Sequence, residues 1–199
     1  MASRKPSPLM GEGLGGGDAA SGETPRIGVE LLDRWALDYL ARYATSAENL
    51  RRVLQRRVLR RAPERKAEAA PLIDAVVARL LASNLIDDAA YAAMRVQSLH
   101  RRGESMRAIR ARLQAKGVEP EALGAALAAL SEGAADPDLT AACAFARRRR
   151  LGPWRRGAAD PERDLAAFAR AGFSRRVAEA VVRCPDIAAA EALTANAGV

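Results

Sequence analysis

The amino-acid sequence predicts an all-α protein of three tandem three-helix repeats, preceded by a disordered N-terminal tail. Composition gives the first indication, because 49% of the residues are hydrophobic but only 4% are aromatic, and alanine and leucine supply most of the apolar side chains. Such a composition favours helices over sheets. Helix-start residues followed by apolar residues at three- and four-residue spacing also recur along the chain, as they do in arrays of helical units.

Residues 1–29 form the tail in this interpretation. Seven of the 15 glycines and three of the 10 prolines lie in residues 1–28, and a segment of this composition has little apolar surface to bury. The glycines of residues 11–17 do not indicate a phosphate-binding loop, because neither a preceding strand nor a Gly-Lys-Ser/Thr ending accompanies them. We therefore expect disorder here and helices from about residue 30 onwards.

The first repeat is predicted over residues 30–84, where Pro63 and Pro71 leave the start of its third helix undefined. Its first helix covers about residues 30–43 and has one apolar face. That face consists of Leu32, Trp35, Ala36, Tyr39, Leu40 and Tyr43. Its second helix starts at Ser46, a favourable N-cap. The apolar positions of the second and third helices are Leu50, Val53, Leu54, Val58, Ile73, Val76, Val77, Leu80 and Leu81.

The second repeat is predicted over residues 85–133. Asp87 caps its first helix, and Ser105 caps a second helix that Gly117 closes. Placing Ser46 and Ser105 at equivalent positions aligns the apolar pairs of the two second helices. These pairs are Leu50 with Ile109 and Leu54 with Leu113. The other apolar positions of the repeat are Tyr91, Ala92, Val96, Leu99, Leu123, Ala126, Leu127 and Leu130.

The third repeat, with a C-terminal tail, is predicted over residues 134–199. Asp136-Pro137 and Asp160-Pro161 each join a capping carboxylate to a proline at the first helical position. Gly172 closes the second helix of this repeat as Gly117 does in the second repeat. The apolar positions are Phe145, Leu165, Phe168, Phe173, Val177, Val181 and Val182.

Positive charge is concentrated in the repeats. The formal net charge is +8, residues 1–29 contribute none of it, and 18 of the 29 lysines and arginines beyond residue 29 fall into three clusters with few acids. Solvated helix faces are the plain alternative, but such faces usually mix both signs, so the imbalance indicates a surface for an anionic partner. The predicted binding residues are Arg51, Arg52, Arg56, Arg57, Arg60, Arg101, Arg102, Arg107, Arg110, Lys116, Arg147, Arg148, Arg149, Arg150, Arg155 and Arg156. Arg52 and Arg56 in particular are expected to be largely solvated.

Side chains that carry catalysis or bind metals are sparse. His100 is the only histidine, and beside two arginines it is expected at an exposed helical position. Asp87 and Asp88 are better explained as helix-capping residues than as metal ligands. Cys143 and Cys184 are expected to be reduced thiols of a protein core. We therefore expect no catalytic site, no metal and no cofactor.

Aromatic residues and apolar runs add two further expectations. Trp35, Tyr39 and Tyr91 lie on apolar helix faces, so they are predicted to anchor cores rather than to stack on nucleic-acid bases. No apolar run approaches the length of a membrane span, and the N-terminus lacks the basic-then-apolar order of a signal peptide. The sequence thus predicts a soluble cytoplasmic protein.

One stretch of the second repeat carries a family resemblance. Residues 85–92 have the pattern Leu-Ile-Asp-Asp-x-x-Tyr-Ala, and the stretch continues with Val96, Ser98, Arg102-Gly103, Ile109, Leu113 and Gly117-Val118. Three flanking segments agree with it: Trp-Ala-Leu-x-Tyr-Leu at 35–40, Arg-Arg-Arg-Arg-Leu-Gly-Pro-Trp-Arg at 147–155 and Ala-Gly-Phe-Ser at 171–174. In the order and spacing of these motifs, about residues 30–184 resemble the RecX family, regulators of the RecA recombinase.

The resemblance implies an elongated, curved protein that binds in the groove of the RecA filament on single-stranded DNA. We expect it to be a monomer. Members of the family mainly inhibit RecA, limiting filament growth, ATP hydrolysis and strand exchange, and they offer no catalytic site to transfer to this chain. The implied partners are the RecA nucleoprotein filament and, weakly and in a salt-dependent manner, single-stranded DNA. The chain departs from the family pattern at residues 63–71 and in its glycine-rich tail.

Two other functions remain open on the sequence. A stand-alone DNA-binding module would also be basic and helical, although its basic residues would concentrate on one recognition helix rather than spread over three repeats. A purely structural helical scaffold is the other alternative. Inhibition of the RecA ATPase by substoichiometric protein would distinguish a regulator from a simple DNA binder.

Overall fold

The computed structural model describes residues 26–132 and 136–195, which contain ten α-helices, two short 3-10 helices and no strand. The all-α fold class is thereby confirmed. Almost all of the predicted N-terminal tail lies outside the described residues. Over the described part of the chain, no helix is long and apolar enough to cross a membrane. The α-helices are α1 (Val29–Leu40), α2 (Ala47–Arg61), α3 (Lys66–Ala82), α4 (Asp88–Arg101), α5 (Met106–Ala115), α6 (Pro120–Glu132), α7 (Pro137–Arg149), α8 (Pro161–Arg170), α9 (Arg175–Val182) and α10 (Ile187–Ala195).

Local sequence signals set where five of these helices begin. The predicted N-caps of α2, α4, α5, α7 and α8 each accept a hydrogen bond from a backbone N–H in the first turn of the helix. These caps are Ser46, Asp87, Ser105, Asp136 and Asp160. Each bond satisfies an N–H that has no partner within the helix.

The first repeat, α1 to α3, buries an apolar cluster that includes Leu32, Trp35, Leu50, Leu54, Ile73 and Val76. α1 ends at Leu40, earlier than predicted, and Tyr43 lies beyond the helix with 56% of its surface exposed. Its ring packs on Tyr39, with 5.0 Å between the centroids. Pro71 is exposed in the second turn of α3. At that position proline removes one helical hydrogen bond without ending the helix.

The second repeat, α4 to α6, buries Ala92, Val96, Leu99, Ile109, Leu113, Leu123 and Leu127. Ile109 and Leu113 of α5 are 0% exposed, as are Leu50 and Leu54 of α2. The alignment of Ser46 with Ser105 therefore predicted the buried pair of both second helices correctly. Tyr91 is half-buried against the same cluster.

The third repeat, α7 to α9, has an aromatic core. Phe145, Phe168 and Phe173 form a triangle with ring centroids 5.3 to 5.6 Å apart. Two of the three pairs meet edge to face, an arrangement that aromatic quadrupoles favour. The three phenylalanines come from α7, α8 and the turn before α9, so they hold this repeat together.

A tenth helix, α10, replaces the C-terminal tail expected from the sequence. Asp186 caps it, accepting a hydrogen bond from Ala189 N at 2.8 Å. Its Ala190 is fully buried, and the Ala190 carbonyl lies 3.4 Å from the Cys143 sulfur on α7. The sequence did not predict this helix, because its residues are mostly alanine and show no apolar stripe.

Candidate interaction surface

Hydrogen bonds between repeats place the second helices α2, α5 and α8 end to end. The Ser46 hydroxyl at the start of α2 donates to the Lys116 carbonyl after the end of α5, at 3.3 Å. The Ser105 hydroxyl at the start of α5 donates in the same way to the Ala171 carbonyl after α8, at 2.9 Å. We call these two contacts joints: the first connects α2 to α5, and the second connects α5 to α8. Because the two joints are built alike, the three second helices form one row.

An aspartate completes each joint. Asp88 Oδ1 accepts a hydrogen bond from Ala47 N at 2.8 Å. In the next joint, Asp138 Oδ1 accepts one from Met106 N at 2.8 Å. The two amides begin α2 and α5 and have no partner within their helices, and a carboxylate is favourable at a helix N-terminus. Asp88 therefore caps a helix of the preceding repeat, whereas its position in the sequence indicated only a local capping role.

Glycine is required on the other side of each joint. Gly117 and Gly172 have φ angles of +73° and +91°, in the left-handed region that favours glycine. A Cβ on Gly172 would lie 2.7 Å from Ser105 Oγ, and one on Gly117 would overlap the side chain of Glu48. The sequence predicted these glycines as helix ends, and the structure adds that they let neighbouring repeats approach closely.

Removing one joint carboxylate should loosen the contact between repeats. We expect Asp138→Ala to lower the free energy of unfolding by about 0.5–2 kcal/mol, as loss of a helix cap does. We also expect a smaller urea m value, because the repeats would unfold less cooperatively. Asp160→Ala, which removes a cap outside both joints, should reduce stability but leave the m value unchanged. An unchanged m value in the Asp138→Ala protein would contradict a coupling role.

The predicted binding residues of the first cluster divide into three arginines that contact other side chains of the protein and two that are exposed. Arg51 pairs with Glu48 at 2.5 Å and with Asp74 at 2.7 Å. Arg52 pairs with Glu48 at 2.9 Å and donates to the Ala115 carbonyl at 2.8 Å, so the expectation that it is largely solvated is wrong. It belongs to the first joint instead. The Arg57 guanidinium lies 4.6 Å from the centre of the Trp35 ring. Arg56 and Arg60 are exposed.

The five predicted binding residues of the second cluster are all exposed. They are Arg101, Arg102, Arg107, Arg110 and Lys116. Among the described residues none of the five forms an ion pair within 4.0 Å. Arg107 and Arg110 lie on α5, the middle helix of the row, so their positive charge is available to an anionic partner.

The third cluster is exposed at Arg147, Arg148, Arg149, Arg150 and Arg156. Arg155 differs from them. Its guanidinium pairs with Asp164, whose side chain is only 2% exposed, and the same carboxylate accepts a hydrogen bond from Gly152 N at 2.8 Å. Because an unpaired buried carboxylate is costly, Arg155 holds the segment before α8 in place.

His100 and the two cysteines lie inside the protein. The expectation of an exposed His100 is wrong, since its ring is buried and Nε2 lies 2.7 Å from the Pro137 carbonyl at the start of α7. Cys143 is buried and Cys184 half-buried, both as free thiols. Burial raises the pKa of the Cys143 thiol to about 11. Within the described ranges, no group of three or more histidine, cysteine and acidic side chains could hold a metal ion.

The raised pKa should protect Cys143 from alkylation. A pKa of about 11 instead of 9.0 lowers the thiolate fraction at pH 7.5 about a hundredfold, and the thiolate is the reactive form. We expect iodoacetamide to modify Cys143 at least that much more slowly in the folded protein than in urea, and more slowly than Cys184. Mass spectrometry of timed samples measures both rates. Equal rates in the folded and unfolded chains would contradict the buried position.

Comparison with known proteins finds relatives across most of the chain. A family model described as RecX, second three-helix domain, matches residues 87–127. A Regulatory protein RecX of Myxococcus xanthus is 38% identical over 184 residues, which cover 87% of this chain and 97% of that protein. One of Agrobacterium fabrum is 42% identical over 100 residues, 49% of this chain and 51% of that protein. One of Mycobacterium marinum is 41% identical over 110 residues, which cover 55% of this chain and 63% of that protein. No solved structure matches the chain.

Proposed function

This chain belongs to the RecX family, and from that premise we propose that it regulates a RecA recombinase, mainly by inhibition. The protein binds in the groove of the RecA filament on single-stranded DNA and limits filament growth, ATP hydrolysis and strand exchange. The observation that carries the proposal is the similarity to a Regulatory protein RecX over 87% of this chain. In this proposal the protein acts in the cytoplasm as a non-catalytic monomer.

The arrangement of the repeats supports a filament as the partner. We propose that residues 30–84, 85–133 and 134–199 act as three successive units, each presenting cations. Arg56 and Arg60 on α2 and Arg107 and Arg110 on α5 are exposed along one row of helices. A surface that repeats its positive charge suits a partner that is itself repetitive and negatively charged. The other exposed members of the three clusters contribute to the same attraction.

Four of the predicted binding residues interact with other side chains of the protein, which limits their contact with a partner. Arg51, Arg52 and Arg57 are half-buried against Glu48 or Trp35, and Arg155 is paired with Asp164. In the proposal these four shape the surface, while the exposed cations make the contacts. An exposed cation keeps its attraction for an incoming anion because no neighbouring acid neutralises it.

A RecA ATPase assay tests the proposal. Purified protein is added at increasing ratios to a bacterial RecA that hydrolyses ATP on single-stranded DNA, and the hydrolysis rate is followed. Inhibition well below one protein per RecA monomer supports a filament regulator. Inhibition only at amounts that saturate the DNA instead indicates a stand-alone DNA-binding module. An unchanged rate at every ratio would contradict both.

A further inference from the structure

Five helices of the described ranges end on a residue in the left-handed region. These residues are Asn84, Gly103, Gly117, Arg150 and Gly172, with φ between +55° and +91°. Glycine is preferred at such a position and asparagine comes next, because a larger side chain strains this backbone conformation. Arg150, at the end of α7, is the exception. Its φ is +57°.

Packing explains the glycines but not Arg150. A Cβ on Gly103 would lie 2.5 Å from Phe145 N, and one on Gly172 would lie 2.7 Å from Ser105 Oγ. Both glycines therefore let one repeat approach the next. Arg150 is exposed, so neither a close approach nor a buried contact accounts for an arginine there. Backbone strain that is kept at an exposed residue points to a function for its side chain.

The neighbours of Arg150 are also unpaired cations. Residues 147–149 are arginines of the last turn of α7, all exposed, and with Arg150 they form what we call the arginine tetrad. Among the described residues, no acid lies within 4.0 Å of any of the four guanidinium groups. Four like charges on consecutive residues repel one another, so an anion bound to the tetrad would relieve that repulsion.

The surroundings of the tetrad favour phosphate groups over a protein partner. Protein interfaces bury an apolar core around their charged rim, whereas contacts to a nucleic-acid backbone need only charge and hydrogen-bond donors. The described residues include eight exposed large hydrophobic side chains, and none of them belongs to residues 137–182. They are Val29, Leu37, Tyr43, Leu59, Leu81, Leu85, Met94 and Ile187.

We propose that the arginine tetrad binds the phosphate backbone of nucleic acid, and that Arg150 is kept in its strained conformation for this contact. This inference deepens the proposed function, since it assigns one cluster of the surface to the DNA rather than to RecA. The contact is independent of base sequence, because guanidinium groups that reach only phosphates read no base edges.

The test measures two properties of each variant. One is the melting temperature, and the other is the Kd for a fluorescein-labelled 30-nucleotide oligothymidylate, measured by fluorescence anisotropy. Arg150→Gly relieves the backbone strain, so its melting temperature should equal or exceed that of the parent. Its Kd should nevertheless rise about threefold or more, and the slope of log K against log salt should fall by about 0.7, as expected for one lost phosphate contact. Changing Arg147, Arg148 and Arg149 together to Gln should raise the Kd more than tenfold.

Two matched controls separate the contact from strain and from net charge. Asn84→Gly makes the corresponding backbone change at the end of α3 without removing a cation, and should leave the Kd unchanged. Changing Arg163, Arg170 and Arg175 together to Gln removes three positive charges from other surfaces of the third repeat, and should change the Kd by less than twofold. The proposal is overturned if Arg150→Gly binds as tightly as the parent. It is also overturned if the control that changes Arg163, Arg170 and Arg175 weakens binding as much as the variant that changes Arg147, Arg148 and Arg149.

The binding assay contains no RecA, so its outcome is separate from that of the proposed function. If the parent inhibits RecA but the tetrad variants bind the oligonucleotide normally, this inference fails and the proposed function stands. If the parent fails to inhibit RecA but the tetrad variants lose DNA binding, the inference stands and the proposed function fails.

Discussion

Replacing Leu113 with alanine is expected to lower the free energy of unfolding by about 2–5 kcal/mol. Leu113 is 0% exposed and packs in the cluster of the second repeat with Val96, Ile109 and Leu123. Removing its side chain leaves a cavity that the surrounding helices fill only in part. Because α5 takes part in both joints, the loss should spread to the neighbouring repeats. Urea denaturation followed by circular dichroism measures the effect.

Gln114→Ala provides the matched control for Leu113→Ala. Gln114 follows Leu113 on the same helix and is exposed, so its replacement should change stability by less than about 0.5 kcal/mol. If Leu113→Ala stayed within 1 kcal/mol of the parent, as surface substitutions do, the second repeat would not have the packed core described above.

Reversing two charges on α5 is expected to abolish RecA inhibition without unfolding the protein. Arg107 and Arg110 are exposed and form no ion pair within the described residues, so Arg107→Glu with Arg110→Glu should leave the helical content and the melting temperature nearly unchanged. The inhibitor concentration that halves RecA ATPase activity should rise at least tenfold, because two repulsive contacts would replace two attractive ones. Both properties should be measured on one preparation.

Arg34→Glu with Arg42→Glu is the control for this double reversal. These exposed arginines of the first repeat lie outside the three clusters, so the pair changes the net charge equally and should preserve inhibition. A folded Arg107/Arg110 variant that inhibits like the parent would remove these arginines from the binding surface. The corresponding charge reversal at Arg52 and Arg56 is a less suitable test of the binding surface, because Arg52 also donates a hydrogen bond to the Ala115 carbonyl in the first joint.

Most of the fold was predictable from short stretches of sequence. N-caps such as Ser46, Asp87 and Ser105, and apolar pairs such as Ile109 with Leu113, act through contacts within one or two helical turns. Their signals are therefore contiguous in the chain. The helix α10 was missed since an alanine-rich segment gives no periodic signal, and its place is decided by the surface of α7 that it covers.

The sequence by itself determined the all-α class, the start of most helices, most of the buried positions of each repeat and the excess of positive charge. Only the tertiary structure decided how the repeats join and which cations remain available. The joint hydrogen bonds of Ser46, Ser105, Asp88 and Asp138 connect residues 32 to 70 positions apart. The physical reason is that a helix cap and an apolar stripe depend on near neighbours, whereas the burial of His100 and the pairing of Arg155 with Asp164 depend on which helices pack together.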